Sequence, residues 1–173
     1  MRWSVLMFIG CGSGETIQAT GTSVFVQAVE GTNRSVEERL VLCEEVADMD
    51  LRAECVSVVL MDRPGPPDDK CPLIPEGRWQ DECWFDAAEM RVDHGTMQEL
   101  VGYCGRAGRF ANACSGHVGS ILVDREFEKG IEASVAGMRK MVSEWVKLSG
   151  IERDKDTLWR LYWHRRMEAP NVT

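Results

Sequence analysis

The sequence predicts an all-α protein: short antiparallel helix-turn-helix repeats, forming an αα solenoid or an irregular helical bundle stapled by three disulfides. Three observations carry this expectation. Six of the seven cysteines fall into pairs, Cys43/Cys55, Cys71/Cys83 and Cys104/Cys114, with eleven, eleven and nine residues between partners. The stretches around them show helical spacing of apolar positions, punctuated by glycine and proline. The first two pairs also superpose at an offset of 28 residues with matched neighbours, which marks an internal repeat.

The elements follow in order. Residues 23–30 carry the apolar run Val24-Phe25-Val26-Gln27-Ala28-Val29, compatible with a short strand or with a first helix capped by Ser23 and stopped at Gly31. Ser35 and Glu38 form a capping box, and Val36, Leu40 and Cys43 share one face of the helix that follows. Asp50 is placed to cap the next helix, which runs to about Met61. The run Arg63-Pro64-Gly65-Pro66-Pro67-Asp68-Asp69 reads as a loop. Cys71-Pro72 and the turn Pro75-Glu76-Gly77 then lead into a helix from about Arg78 to Val92. Residues 96–104, 109–128, 131–148 and 155–168 continue as helices, with Gly95, Gly105/Gly108, Gly130 and Gly150 between them.

Within the repeat, Val46 and Ile74 stand three residues after the first cysteine, Leu51 and Trp79 four before the second, and Glu54 and Glu82 just before it. The third unit is two residues shorter and keeps Ala107 and Phe110 in the corresponding places. Each unit thus reads as a helix end, a turn and a helix start, with an apolar plug one turn ahead of the second cysteine that sits under the turn and is bridged over by the cysteines. Pairing within each unit is the simplest of the fifteen connectivities that six cysteines allow. Two cysteines flanking a tight αα turn can approach the roughly 5.5 Å between Cα atoms that a disulfide needs, and each closed loop is worth on the order of 3 kcal/mol. The alternative is a cytosolic protein whose reduced cysteines pack as small apolar groups.

The first eleven residues resemble a bacterial lipoprotein signal peptide. Arg2 gives the positive start, Trp3 to Ile9 the apolar run, and Phe8-Ile9-Gly10-Cys11 the cleavage site, although Phe8 stands where that family usually has leucine. The resemblance implies cleavage before Cys11 and a diacylglycerol on its sulfur. The expected organisation is a signal peptide over 1–10, a flexible Gly/Ser/Thr-rich tether over 11–22 and a helical repeat domain over 23–173. Under the sorting rule of that family, Gly12 directs the protein to an outer membrane, on its periplasmic side, where the cell has two membranes.

A second resemblance competes for the same residues. Val5-Leu6-Met7-Phe8-Ile9-Gly10-Cys11-Gly12-Ser13-Gly14 is similar to the first strand and glycine loop of a class I S-adenosylmethionine-dependent methyltransferase, which implies an enzyme in which Glu30 binds the ribose. Phe8 replaces that family's acidic residue, and only nine residues separate Gly14 from Val24. No alternation of strands and helices follows, as a doubly wound sheet requires. The repeat plan resembles Sel1-like and tetratricopeptide-like αα repeats, especially secreted cysteine-rich versions with a disulfide joining the two helices of each unit. It lacks their small-residue signature, and its period drifts. Trp79-Gln80-Asp81-Glu82-Cys83 also resembles a Trp-x-Asp-Glu-Cys element of uncharacterised bacterial proteins, which implies no activity.

Composition narrows the functions. A formal charge of −8, made more negative by loss of Arg2, opposes nucleic-acid binding, which needs clustered cations, and opposes a polybasic membrane patch. Membrane contact would come through the lipid on Cys11. Cys104, Cys114 and His117 invite a zinc reading, but structural zinc sites place cysteines two to four apart; no metal and no cofactor are expected. Ser115-Gly116-His117 is not a catalytic elbow, and the adjacent acids Glu44/Glu45 and Asp81/Glu82 do not make a facing pair. His94 reads as a turn residue and His164 as solvated.

The last helix is the candidate partner surface. Leu158, Leu161, Tyr162 and Arg165 mark one face, while Trp159, Trp163 and Met167 mark another among basic residues. One stripe can cap the repeat stack, as terminal units must, which leaves the other for a partner. Trp159, Trp163 and Arg166 are the expected anchors, because tryptophan and arginine are enriched at interface hot spots. The expectation is a lipid-anchored envelope protein acting as an interaction scaffold for an unidentified envelope protein, with no small-molecule substrate and no catalytic residues inferred. The alternative is an enzyme, either methyltransferase-like or an unrecognised envelope hydrolase.

Overall fold

The computed structural model describes residues 16–31, 33–129 and 131–168. Among them every regular element is helical and none is a strand. The signal peptide 1–10, Cys11, the glycine loop before Thr16 and Gly130 lie outside the described residues. Where the sequence reads one repeat domain over 23–173, the chain divides into two compact units between Arg63 and Pro64. The physical cause is the run Pro64-Gly65-Pro66-Pro67: three of its four residues have no N–H to donate, so no helix can carry through it.

The first unit holds α1 (Thr16–Glu30), α2 (Val36–Glu44) and α3 (Met49–Met61). Residues 23–30 are therefore helix, and the predicted tether loses residues 16–22 to the same helix. Val24, Phe25, Ala28 and Val29 recur at helical spacing and pack with Val36, Leu40, Cys43, Val46, Cys55 and Val59, which decides between helix and strand where the local pattern did not. Ser35 and Glu38 form the capping box of α2 as expected. The cap of α3 is Asp48, which accepts from the Leu51 N–H at 2.8 Å, and Asp50 falls inside the first turn instead. Arg39 is buried. Its Nε donates to the Ala28 carbonyl at 2.6 Å, its Nη2 to the Val29 carbonyl at 3.0 Å and its Nη1 to Asp62 Oδ2 at 2.7 Å. One guanidinium so satisfies carbonyls left open at the end of α1 and ties them to the residue that ends α3.

The second unit begins with two 3-10 turns, Pro67–Asp69 and Cys71–Leu73, followed by α4 (Arg78–Arg91) and α5 (Met97–Arg106). A third 3-10 turn, Gly108–Phe110, leads to α6 (Ala111–Glu128), α7 (Ile131–Ser149) and α8 (Glu152–Glu168). Helix α4 packs on α5, α6 on α8, and α7 touches α5, α6 and α8. Trp84, Leu100, Tyr103, Val118, Val123, Met138, Trp145, Leu158 and Tyr162 form its buried core. Gly105 does not break the chain, since α5 runs on to Arg106; the turn falls at Gly108, which takes a positive φ of 46°. An added Cβ there would collide with the Asp81 carboxylate.

The repeat is real at the level of the backbone. All three disulfides close, with Cα–Cα distances of 5.5 Å for Cys43–Cys55, 5.6 Å for Cys71–Cys83 and 5.3 Å for Cys104–Cys114. In each unit the residue three after the first cysteine turns back and donates to that cysteine's carbonyl: Val46 to Cys43 at 3.1 Å, Ile74 to Cys71 at 3.2 Å and Ala107 to Cys104 at 3.2 Å. Those same three side chains are buried, whereas the plug expected one turn ahead of the second cysteine, Leu51, Trp79 and Phe110, is only half-buried. The middle unit departs in its first arm. Cys71 lies in a 3-10 turn rather than an α-helix, because Pro67, Pro72 and Pro75 exclude one.

Candidate functional site

Helix α8 separates its two stripes as expected. Leu158 and Tyr162 are buried, and Arg165 makes a forked pair with Asp124 of α6, at 2.6 and 2.8 Å. On the other stripe Trp159 is half-buried beside Arg139, Val142 and Lys155, and its ring stacks on Trp163 with centroids 6.4 Å apart. Trp163 is 52% exposed and Met167 79%. Tyr162 meets both tryptophans edge-on, so the outer rings stand on a buried aromatic base. Arg166 differs from expectation in being half-buried, with Nη1 shielded from solvent and without a hydrogen-bond partner among the described residues.

A larger feature of the second unit was not anticipated. A cavity of about 420 Å³ opens where α5, α6 and α7 meet. Gln98, Val101, Gly102 and Gly105 line it from α5, at the i, i+3, i+4 and i+7 positions of one helix face. Ala111, Asn112 and Ser115 line it from α6, and Trp145, Leu148 and Ser149 from α7, with Ile151 at its rim. A smaller hollow of about 220 Å³ continues from it, sharing Asn112 and Ser115 and reaching Arg153, Asp154 and Thr157. The walls are held by fixed contacts. The Cys104–Cys114 bridge ties α5 to α6, and the buried Trp145 donates its indole N–H to buried Asp154 Oδ2 at 2.9 Å. Arg153 Nη2 donates to Asn112 Oδ1 at 2.9 Å.

The glycines of this wall are unusual in their surroundings. An added Cβ at Gly102 or Gly105 would find no atom within 4 Å, so neither glycine is required by packing. Each nonetheless costs the helix about 0.5–1 kcal/mol relative to alanine. The signal for this face in the sequence is the helical spacing of Gln98, Val101, Gly102 and Gly105, which glycine punctuation at Gly105 obscures.

Other candidate residues are drawn apart. Ser115 faces the cavity, whereas His117 turns toward α4, where its Nε2 lies 2.7 Å from Glu89 Oε1 and its ring lies 5.9 Å from that of Phe85. No Ser–His pair is assembled. Cys104 and Cys114 are spent in their disulfide and offer no thiolate to a metal. Among the described residues no group of three or more metal-ligating side chains converges. On α4, burial, aided by neighbouring Glu82 and Glu89, pushes the Asp86 carboxyl up to about 6. Residues 24–29 form part of a helix, so Glu30 does not end the strand that a methyltransferase ribose site needs. No protein-family model matches the chain, and neither a curated protein nor a solved structure matches it.

Proposed function

We propose that the chain is a lipid-anchored protein of the cell envelope, on the periplasmic face of an outer membrane where one exists, that works as a helical interaction scaffold. Cys11 carries the lipid, and Trp159, Trp163 and Arg166 form the edge that engages an envelope partner. The observation that carries the reading is the set of three helical turns each closed by a disulfide, a construction that persists in oxidising compartments and is rare where thiols are kept reduced. Trp163 and Met167, exposed on the aromatic base of α8, support the contact edge. No described helix is long and apolar enough to cross a membrane, so the attachment in this proposal is the lipid alone.

Intact mass measurement of the natively expressed protein tests the anchor. The expected species lacks residues 1–10, carries an added diacylglycerol and has six hydrogens fewer than its reduced form. A Cys11→Ser variant should remain an unprocessed precursor. An unmodified start at Met1 or Arg2, or normal maturation of Cys11→Ser, would end the lipoprotein reading.

A further inference from the structure

We infer that the outer face of α7 and α8 around Trp159 and Trp163 binds an acidic peptide segment of the partner. The inference deepens the scaffold reading and rests on it for the existence of a partner. Charge is unevenly spread along the chain: residues 139–167 hold eight Lys and Arg against four Asp and Glu, whereas the whole chain has 20 against 28. One of those four acids, Asp154, is buried and bonded to Trp145. Arg78, Arg106, Arg109, Arg125 and Lys129, earlier in the same unit, each face a carboxylate of their own chain. Arg139, Lys155 and Arg160 are exposed and, like half-buried Arg166, have no ion pair among the described residues. The face is thus cationic on an acidic protein, and a segment of opposite charge is steered to it.

The aromatic rings supply what the charges do not. An exposed ion pair contributes little by itself, while a tryptophan that a partner covers is a frequent anchor. Trp159 lines one open hollow with Arg139 of α7 and Lys155 of α8, and it stacks on the half-exposed Trp163. Arg166 and Met167 follow Trp163 by one turn on the same stripe. From Lys155 to Arg166 the helix rises about 16 Å, the reach of about five residues of extended chain. Glu152 shares the hollow, and Asp156 is exposed on the next turn. A uniformly anionic bilayer would press against these two carboxylates as well as against the cations, and like charges in contact are costly. A peptide can set its acids opposite Arg139, Lys155 and Arg160 and its neutral residues opposite Glu152 and Asp156, so the mixed pattern fits a segment with discrete charges.

The test uses the full, oxidised protein and three acetylated, amidated six-residue peptides with a central phenylalanine, flanked by glutamate in the first, glutamine in the second and lysine in the third. Binding is followed by NMR of the Trp163 indole N–H. The expected result is a saturable shift with the glutamate peptide, with the glutamine and lysine peptides at least about tenfold weaker. Lys155→Glu and Arg160→Glu should each weaken binding of the glutamate peptide by about threefold to tenfold with an unchanged melt, since neither side chain is paired. Arg78→Glu, which changes the net charge by the same amount on α4, should bind as the parent does. No saturable shift at millimolar glutamate peptide, equal binding of the three peptides, or equal losses in Arg78→Glu and Arg160→Glu would overturn the inference. So would binding to phosphatidylglycerol vesicles through Trp163 when the glutamate peptide does not bind, because the face would then belong to a membrane surface. If the acidic peptide fails while partner capture still depends on Trp163, the inference falls and the scaffold reading stands without it.

Discussion

Along the seam between α6 and α8 the space above Gly119 is taken by Leu158, whose Cδ2 an added Cβ would overlap, whereas above Gly102 and Gly105 on α5 there is nothing within 4 Å. All three are glycines inside helices. At Gly119 the missing side chain is what lets two helices meet, and the buried neighbours Val118 and Leu158 show that the contact is core. On α5 the same helix penalty has no return within the protein. The difference teaches that a mid-helix glycine must be read against its surroundings: one closes a seam, the others keep a wall open.

The comparison can be broken by substitution, and the largest effect belongs to the residue on which the cavity wall stands. Trp145 is fully buried, so Trp145→Ala should lower stability by about 3–5 kcal/mol in urea unfolding and leave Asp154 without its donor. A loss below about 1 kcal/mol would mean that the wall is not part of the core. Gly119→Ala comes next. Its methyl must displace Leu158, and overpacking of this kind costs about 1–3 kcal/mol; a neutral melt would show that the seam has slack.

Asp86 gives a reference outside both regions. Its folded pKa of about 6 lies above the usual carboxylate value, so the folded state keeps a proton that the unfolded chain releases. Stability therefore falls as pH rises from about 4 to about 6 and stays lower above that. Because the group is only half-buried, screening reduces the effect to about 1 kcal/mol. Asp86→Asn should flatten the slope and be the more stable protein at pH 7. A slope unchanged by Asp86→Asn would assign it to other groups.

On the open wall the sign reverses. Gly102→Ala and Gly105→Ala should each raise stability by about 0.5–1 kcal/mol, seen as a higher melting temperature, and a loss would reveal a packing role. The smallest effect is expected at Trp163. Its half-exposed ring should cost no more than about 0.5 kcal/mol of stability on Trp163→Ala, while binding of an envelope partner falls by the order of 2 kcal/mol typical of an interface anchor. A variant that melts much lower, and loses binding only in proportion to unfolding, would move Trp163 into the core.

The repeat, the three cysteine pairs and most helix positions were legible because they rest on short-range signals: the Ser35–Glu38 box, cysteines beside tight turns, and an apolar residue three after each first cysteine. Ends were less so. Asp48 and Asp50 both suit a cap, and only the turn geometry selects Asp48. The identity of α1 depended on packing against α2 and α3, which periodicity over eight residues does not contain. Arg39 is buried because carbonyls from α1 and Asp62 receive it, a constellation drawn from three helices. The cavity was illegible for the same reason: its wall is gathered from residues between 98 and 151, and the emptiness beside Gly102 and Gly105 is a property of their neighbours.

The disulfide-closed turn underlies the location proposed for this protein and, at Cys104–Cys114, ties α5 to α6 beside the cavity, and non-reducing peptide mapping of the natively expressed chain tests it most directly. The map should recover Cys43–Cys55, Cys71–Cys83 and Cys104–Cys114, the pairs that close in the fold. Free thiols at these positions would contradict export and restore a reduced, cytosolic protein, and crossed pairs would contradict the repeat.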